Sequence, residues 1–368
     1  MRARNRGLSL VELMVGVTLA LITIVVVMQV LTVYEARKRT ATVANDATIG
    51  ASVGMHMIAR EVRMAGAGLT LPTGFACGPG INIYHGAATV SDGAPLAPLR
   101  IIDGAAGPDR IHVLRSDADF SVAPATIVQN MAAPDGPVTV NGSLGLAEGD
   151  LSLVGSAEGV QRCTLMQLSN DPEPTGSGWR LRHASGGAFP YNPAAPALAF
   201  SNPVSYEVGD VVVNLGRLGL RAFGVICSDG DVPAAANSCD LASWDAIAGP
   251  ADPTLAEADS ITPQVVNLQA QYGVAPAGSQ TVNEWVSATG ATWAAPTAAD
   301  QARIKAVRVA IVTRGNLERE VVSPASLVLW DEGLVTEQAM ALTDAERRYR
   351  YKVLRVVVPI INVIWAGV

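Results

Sequence analysis

From Leu13 to Val33 the chain runs 21 residues without a formally charged side chain and without proline. At about 1.5 Å per residue, a helix of that length reaches roughly 31 Å, the thickness of a bilayer's hydrocarbon layer. One carboxylate, Glu12, stands at the threshold of the run, behind Arg2, Arg4 and Arg6. An acid at the mouth of an apolar stretch is costly to bury alone, so it marks a functional position. A secretory signal would carry an apolar core of about 7–15 residues and a small-residue cleavage site after it. Here the run is longer and passes into EARKRTATVANDATIGASVGMHMIAREVRMAG, which is compatible with a continuing helix. Three bases precede the run and Arg37, Lys38 and Arg39 follow it, so counting charges does not set the topology.

The helix is expected to continue from residue 34 to about 66, where Gly66 and Gly68 supply a stop. Ile49, Val53, Met57 and Met64 recur at helical spacing and are expected to form the face that packs on the body, with Arg60 intruding on the stripe. The whole element would span roughly 55–60 residues, far beyond an ordinary globular helix.

Beyond it the texture changes. Gly (35 residues) and Pro (22) punctuate short apolar runs, and charged residues make up only 16%, which excludes a disordered tail and favours a β-rich body. The runs are DRIHVLRS, ATIVQNM, DLSLVG, VQRCTLMQL, WRLRHA, VGDVVVNL, LGLRAFGVICS, QVVNLQAQYGV, ARIKAVRVAIVTRG and RYRYKVLRVVVPIINVIW. Around Ile304, Ala306 or Val307, Val309 and Ile311 the alternation has the period of two expected of a strand. LTLPTGFACGPGINIYHG reads as loop, and no repeat of fixed period occurs. The expected fold is therefore α+β: a long N-terminal helix packed on an antiparallel β-rich body, with a division into two lobes near residue 200 left open.

The chemistry of sites is sparse. The four histidines, His56, His85, His112 and His183, form no metal-ligand spacing, and no serine sits in a nucleophile elbow. GAG at 66–68 and GPG at 78–80 complete no phosphate-binding loop and read as turns. Asp229 and Asp231 in CSDGD offer oxygen ligands for calcium but fall far short of an EF-hand; a polar turn is the simpler reading. Asp252, Glu257 and Asp259 read as a solvated acidic loop, and the six tryptophans, Trp179, Trp244, Trp285, Trp293, Trp330 and Trp365, as packing residues for the most part. Arg347, Arg348, Arg350, Lys352 and Arg355 alternate along a strand, giving either a solvated face or a docking face for an acidic neighbour. No cofactor, metal or enzymatic activity is expected. The net charge is −7, and loss of the three leading arginines takes it to −10, so the body has no broad footprint for nucleic acid.

The cysteines are Cys77, Cys163, Cys227 and Cys239, with no CxxC pair. In an oxidising compartment they would form disulfides. Cys227 and Cys239 flank the turn-rich SDGDVPAAANS and are the favoured pair, leaving Cys77 with Cys163; four buried thiols are the alternative.

Arg6-Gly7, then Leu8-Ser9-Leu10-Val11-Glu12, then a hydrophobic helix resembles the class III signal of type IV prepilins. The resemblance implies cleavage between Gly7 and Leu8, methylation of the new Leu8 amino terminus, and a leader of residues 1–7. It also implies a pilin helix over 8–68 and a periplasmic or extracellular body over 69–368. Glu12, the fifth mature residue, would offset the amino-terminal charge of a neighbouring subunit. Leu8 stands where phenylalanine is commoner, and the helix lacks the kinking proline of many major pilins; the first proline is Pro72. In the body, VGDVVVNLG, VVNLQAQYGV, IKAVRVAIVTRG and RRYRYKVLRVVVPIINVIW resemble PilW-type minor pilins in order and spacing.

What that family implies is a non-enzymatic minor pilin of the type IV pilus, acting in pilus assembly initiation or at the tip. It would sit in the inner membrane before assembly, with its amino terminus in the cytoplasm, and on the pilus afterwards. Partners would be other minor pilins, the major pilin, the prepilin peptidase and, as a further candidate, a tip adhesin; twitching motility and cell adhesion are the associated functions. A J-type pseudopilin of type II secretion shares the same plan. From another class, a membrane-anchored periplasmic enzyme or binding module would need only the anchor and not Glu12.

Overall fold

The structure is a computed structural model that describes residues 10–67, 77, 79–95, 97–116, 124–143, 145–186, 188–228, 238–330 and 339–365. One helix, α1, spans Leu10–Met64, 55 residues without a break. It ends as its sequence dictates: Gly66 adopts a left-handed conformation (φ 75°), and Ala67 N–H closes on Met64 C=O at 2.9 Å. Gly68 lies outside the described residues.

The body is built from three main sheets. The four-stranded sheet runs Glu284–Val286, Val265–Val274, Ile304–Leu317 and Tyr349–Pro359 in spatial order, antiparallel throughout. The five-stranded sheet runs Asp259–Pro263, Cys239–Asp245, Leu218–Cys227, Arg110–Ser116 and Leu99–Ile102. The nine-stranded sheet begins with Ala88–Ala94 and Ile81–His85, passes through Cys163–Gln167, Leu151–Gly155, Val211–Gly216 and Ala125–Gln129, and ends with Val138–Val140, Gly178–Leu181 and Glu173–Thr175. Its pairing of Ile81–His85 with Cys163–Gln167 is parallel. A small hairpin, Ser326–Val328 with Ala339–Ala341, lies over the four-stranded sheet. The α+β reading holds, and each apolar run named above contains a strand.

Two expectations about the chain's course need correcting. Ile81–His85, read as loop, is a strand whose Ile81 and Ile83 are buried. And the run that ends RVVVPIINVIW is not one strand: Pro359, unable to donate a ladder hydrogen bond, closes it, and Ile361–Trp365 forms a short helix.

One core joins α1 to two sheets. Met55, Ile58 and Val62 of the helix meet Ile111, Phe223 and Leu241 of the five-stranded sheet and Leu268, Val307 and Ile311 of the four-stranded sheet. The chain crosses between these sheets at Gln264, a non-glycine residue at φ 61°, whose carbonyl accepts the Arg314 N–H at 2.9 Å. Tyr272, wholly buried, accepts the Ile101 N–H on its hydroxyl at 2.6 Å and so ties one sheet to the other. Val265–Val274 is buried along its whole length because the sheet is covered on both faces. On the far face Val266, Ala310 and Val312 pack beneath Leu329 and Trp330. The nine-stranded sheet has cores of its own, around Ile127, Val154 and Tyr206 and around Leu153, Leu165 and Leu215.

Candidate assembly helix

The first half of α1 makes no use of the body. Leu10–Thr32 is long and apolar enough to cross a membrane, and none of it is buried against the rest of the chain. Leu13, Val17, Leu21, Ile24 and Met28 are each at least half exposed, and so are apolar residues on every other side. A helix apolar all round has no facing side of its own, and it is stable only in lipid or among other apolar helices. Its few hydroxyls are satisfied within the helix: Thr18, Thr23 and Thr32 donate to Val15, Leu19 and Gln29 carbonyls at 2.9, 2.8 and 2.9 Å. Glu12 is exposed in the first described turn, where the helix dipole favours an acid. Gly7 and Leu8 lie outside the described residues.

The second half follows a different rule. Ala51, Met55, Ile58, Ala59, Val62 and Ala65 are buried, at 0 to 7% exposure. Ile49, Val53 and Met57, expected to face the body, are 64, 51 and 38% exposed, and Met64 is half-buried. The reason is close approach. A Cβ at Gly54 would lie 2.5 Å from Leu241, and one at Gly50 would collide with the Thr262 hydroxyl. Small residues let the helix axis sit against the strands, so the covered face centres on Gly50, Gly54 and the residues in line with them, and Ile49, Val53 and Met57 point away.

Polar contacts fix the docked half. Arg115 Nε donates to Glu61 Oε2 at 2.9 Å, both side chains less than a third exposed. Lys352 Nζ donates to Thr48 Oγ1 at 3.2 Å. At the far end Gly66 N–H meets Leu114 C=O at 2.9 Å, Ser116 N–H meets Ala67 C=O at 2.9 Å, and Asn362 donates its amide to Ala65 C=O at 3.0 Å.

The remaining sequence candidates find structural places. Cys77 is joined to Cys163 and Cys227 to Cys239; the first closes the segment after α1 onto the nine-stranded sheet, the second closes two paired strands. The basic run stays at the surface but is engaged there: Arg347, Arg348 and Arg355 donate to carbonyls of Ser323, Glu318, Val328 and Leu329, and Arg350 pairs with Glu318 at 3.2 Å. These arginines rivet the edge strand to residues 318–329. The acidic loop is likewise knitted to the body, Asp252 to Arg110 and Asp259 to Arg221. Trp244 and Trp330 are buried, and Trp285 and Trp330 flank the buried Arg308 guanidinium, which donates to Gln271 Oε1. Gly80 closes a turn onto Cys77 C=O. Among the described residues no group of three or more His, Cys, Asp or Glu is placed to hold a metal; Asp229 and Asp231 lie outside them.

Two titratable groups with shifted pKa values lie in and beside the strand Arg110–Ser116. Asp109 accepts the N–H groups of Gly104 and Ala270 at 2.9 and 2.8 Å, yet burial pushes its carboxyl up to about 6. His112, three residues on and in the five-stranded sheet, is pushed down to about 4 by burial, with Arg100 and Arg110 adding to the shift. Neither was singled out by a motif, since each owes its shift chiefly to burial.

Residues 244–362 match the family described as Type IV Pilus-assembly protein W, PilW. The matched stretch contains the edge strand Asp259–Pro263 against which α1 lies, the whole four-stranded sheet, and the start of the short helix whose Asn362 holds the end of α1. No curated protein and no solved structure matches the chain.

Proposed function

We propose that this PilW-type chain is a minor pilin of the type IV pilus, acting in assembly initiation or at the tip rather than as bulk shaft. One observation carries the reading. The part of the chain that matches the pilus-assembly family supplies the four-stranded sheet and one edge strand of the surface that receives α1, and α1 projects an unbroken apolar half that the body leaves uncovered. Such a helix serves first as a membrane anchor and then as the element that enters a helical assembly. Cleavage between Gly7 and Leu8 and methylation of Leu8 would prepare it. Glu12 would then meet the amino-terminal charge of a neighbouring subunit, since an acid leaving water needs a cationic partner.

The leader, residues 1–7, would stay in the cytoplasm, and the body, 69–368, would face the periplasm and then the cell surface, a compartment that suits two disulfides. A body of that size is hard to repeat around a tightly wound filament without clashes, which favours an end position. Other minor pilins, the major pilin, the prepilin peptidase and a tip adhesin are the partners this role calls for, and the role is one of assembly rather than catalysis. Mass spectrometry of the mature protein is expected to show an N-methylated Leu8; an intact Met1 or a terminus far downstream would refute the reading. Deletion of the gene is expected to reduce surface pili.

A further inference from the structure

We propose that a cavity of about 240 Å³ in the nine-stranded half of the body is a binding site for a neutral sugar ring. The site is independent of the pilus reading and of the helix. It opens between the strand Cys163–Gln167, the turn at 134–136 and the long connection 183–204. Its apolar wall is made of Phe200 with the rings of Pro193, Pro196 and Pro203. Proline rings carry no N–H and few internal rotations, so such a wall is already in its bound shape and loses little entropy when covered.

The wall is also pinned. Asn192, 6% exposed, accepts the Gln167 N–H at 2.9 Å and donates to the carbonyls of Gln167 and Ala184 at 2.7 and 3.0 Å. Every hydrogen-bonding direction of its amide nitrogen is used, so it shapes the cavity rather than filling it. His183 is fixed too: its Nε2 lies 2.6 Å from Gly136 C=O, which assigns the proton to that nitrogen, and burial holds the ring below its ordinary pKa and therefore neutral.

Two lining groups are left over. The Asp135 carboxylate and the Ser185 hydroxyl are exposed at the rim and enter no hydrogen bond among the described residues, although Asp135 acts electrostatically on His183. Together they offer acceptors and one donor at the rim of an apolar face. No Lys or Arg lines the cavity among the described residues, so nothing there would neutralise a phosphate or a carboxylate ligand. A small cation would find one solvated carboxylate and a single aromatic ring, which is not a cage. A sugar ring has what the site asks for: an apolar C–H face for Phe200 and the prolines, and hydroxyls that donate to Asp135 and exchange with Ser185.

The test uses the full chain in lipid nanodiscs, free of sugar-headed detergents. Methyl glycosides of glucose, galactose, mannose and N-acetylglucosamine are titrated and read by saturation-transfer NMR. At least one is expected to saturate with a dissociation constant on the order of millimolar or below. Asp135→Asn and Ser185→Ala, both at exposed positions, are expected to weaken it, the first by about tenfold or more for loss of a charge-assisted hydrogen bond. Leu317→Ser, on a different sheet, is expected to leave it unchanged. The proposal is overturned if none of the four glycosides saturates, if both site variants bind as the parent does, or if methyl glucuronide or lysine methyl ester binds more tightly than every neutral probe.

Discussion

The two halves of α1 share one unbroken backbone and obey opposite packing rules. Between Leu10 and Thr32 every side is apolar and none is covered by the body. Between Ile49 and Ala65 the covered side mixes Ala51, Ala59 and Ala65 with Met55, Ile58 and Val62, with Gly50 and Gly54 at the closest approach, and Ile49 and Val53 look outward. The difference shows that apolar content does not identify the docked half. A docked helix needs a side that lets the strands come near, and Ala and Gly supply it at little entropic cost. A helix meant for other helices or for lipid needs bulk on all sides. The first half is thus free to leave one environment for another without disturbing the body.

The comparison is most easily broken at Ile58, which is wholly buried between two sheets. Ile58→Ala should lower the stability of the body by about 2–5 kcal/mol, whereas Val25→Ala, in the exposed half, should leave it within about 0.5 kcal/mol. Denaturant unfolding of both variants checks this; equal losses would erase the distinction between the halves.

Acidity probes the sheets on which the docked half lies. Asp109 is raised from 3.8 to about 6, so the folded state holds the proton more tightly, and stability present below pH 3.8 is lost as pH rises through 6. His112 is lowered from 6.5 to about 4, so the unfolded state holds the proton more tightly, and stability present above pH 6.5 is lost as pH falls through 4. The two slopes oppose each other between pH 4 and 6, and each is worth on the order of 2–3 kcal/mol. Unfolding at pH 4, 5 and 6 should therefore show a shallow profile for the parent chain. His112→Gln should expose the falling slope and Asp109→Asn the rising one; parallel profiles for all three would contradict these assignments.

A smaller effect belongs to the ion pair between Glu61 and Arg115. Glu61→Gln should cost about 1 kcal/mol or less, because part of the pair's attraction is screened by water. Its loss should shrink further at high salt, as a melting series in sodium chloride would reveal.

Much of the architecture was legible beforehand, for identifiable reasons. Uncharged length announced the helix, and Val-rich alternation announced the strands at Val265–Val274 and Ile304–Leu317. The short strand Ile81–His85 was hidden because it follows the turn at Gly80 and takes its partners from residues 88–94 and 163–164. The docked face was misread because Ile49, Val53 and Met57 outweigh Ala and Gly in any count of apolar residues. The tethering use of Arg347, Arg348, Arg350 and Arg355 depends on carbonyls and a carboxylate about 20 to 40 residues away, which no local pattern carries. The cavity at Asp135 is assembled from three separate stretches and has no motif at all. Glu12 is the opposite case: its meaning rests on Gly7 and the apolar run beside it.

That residue also gives the most direct test of the account. In cells carrying Glu12→Ala, the number of surface pili should fall well below the parent level, while the amount of the protein and the melting temperature of its body stay unchanged, because Glu12 lies on the half of α1 that the body does not cover. Normal piliation with Ala at position 12 would mean that the helix is only an anchor, and would contradict the assembly role.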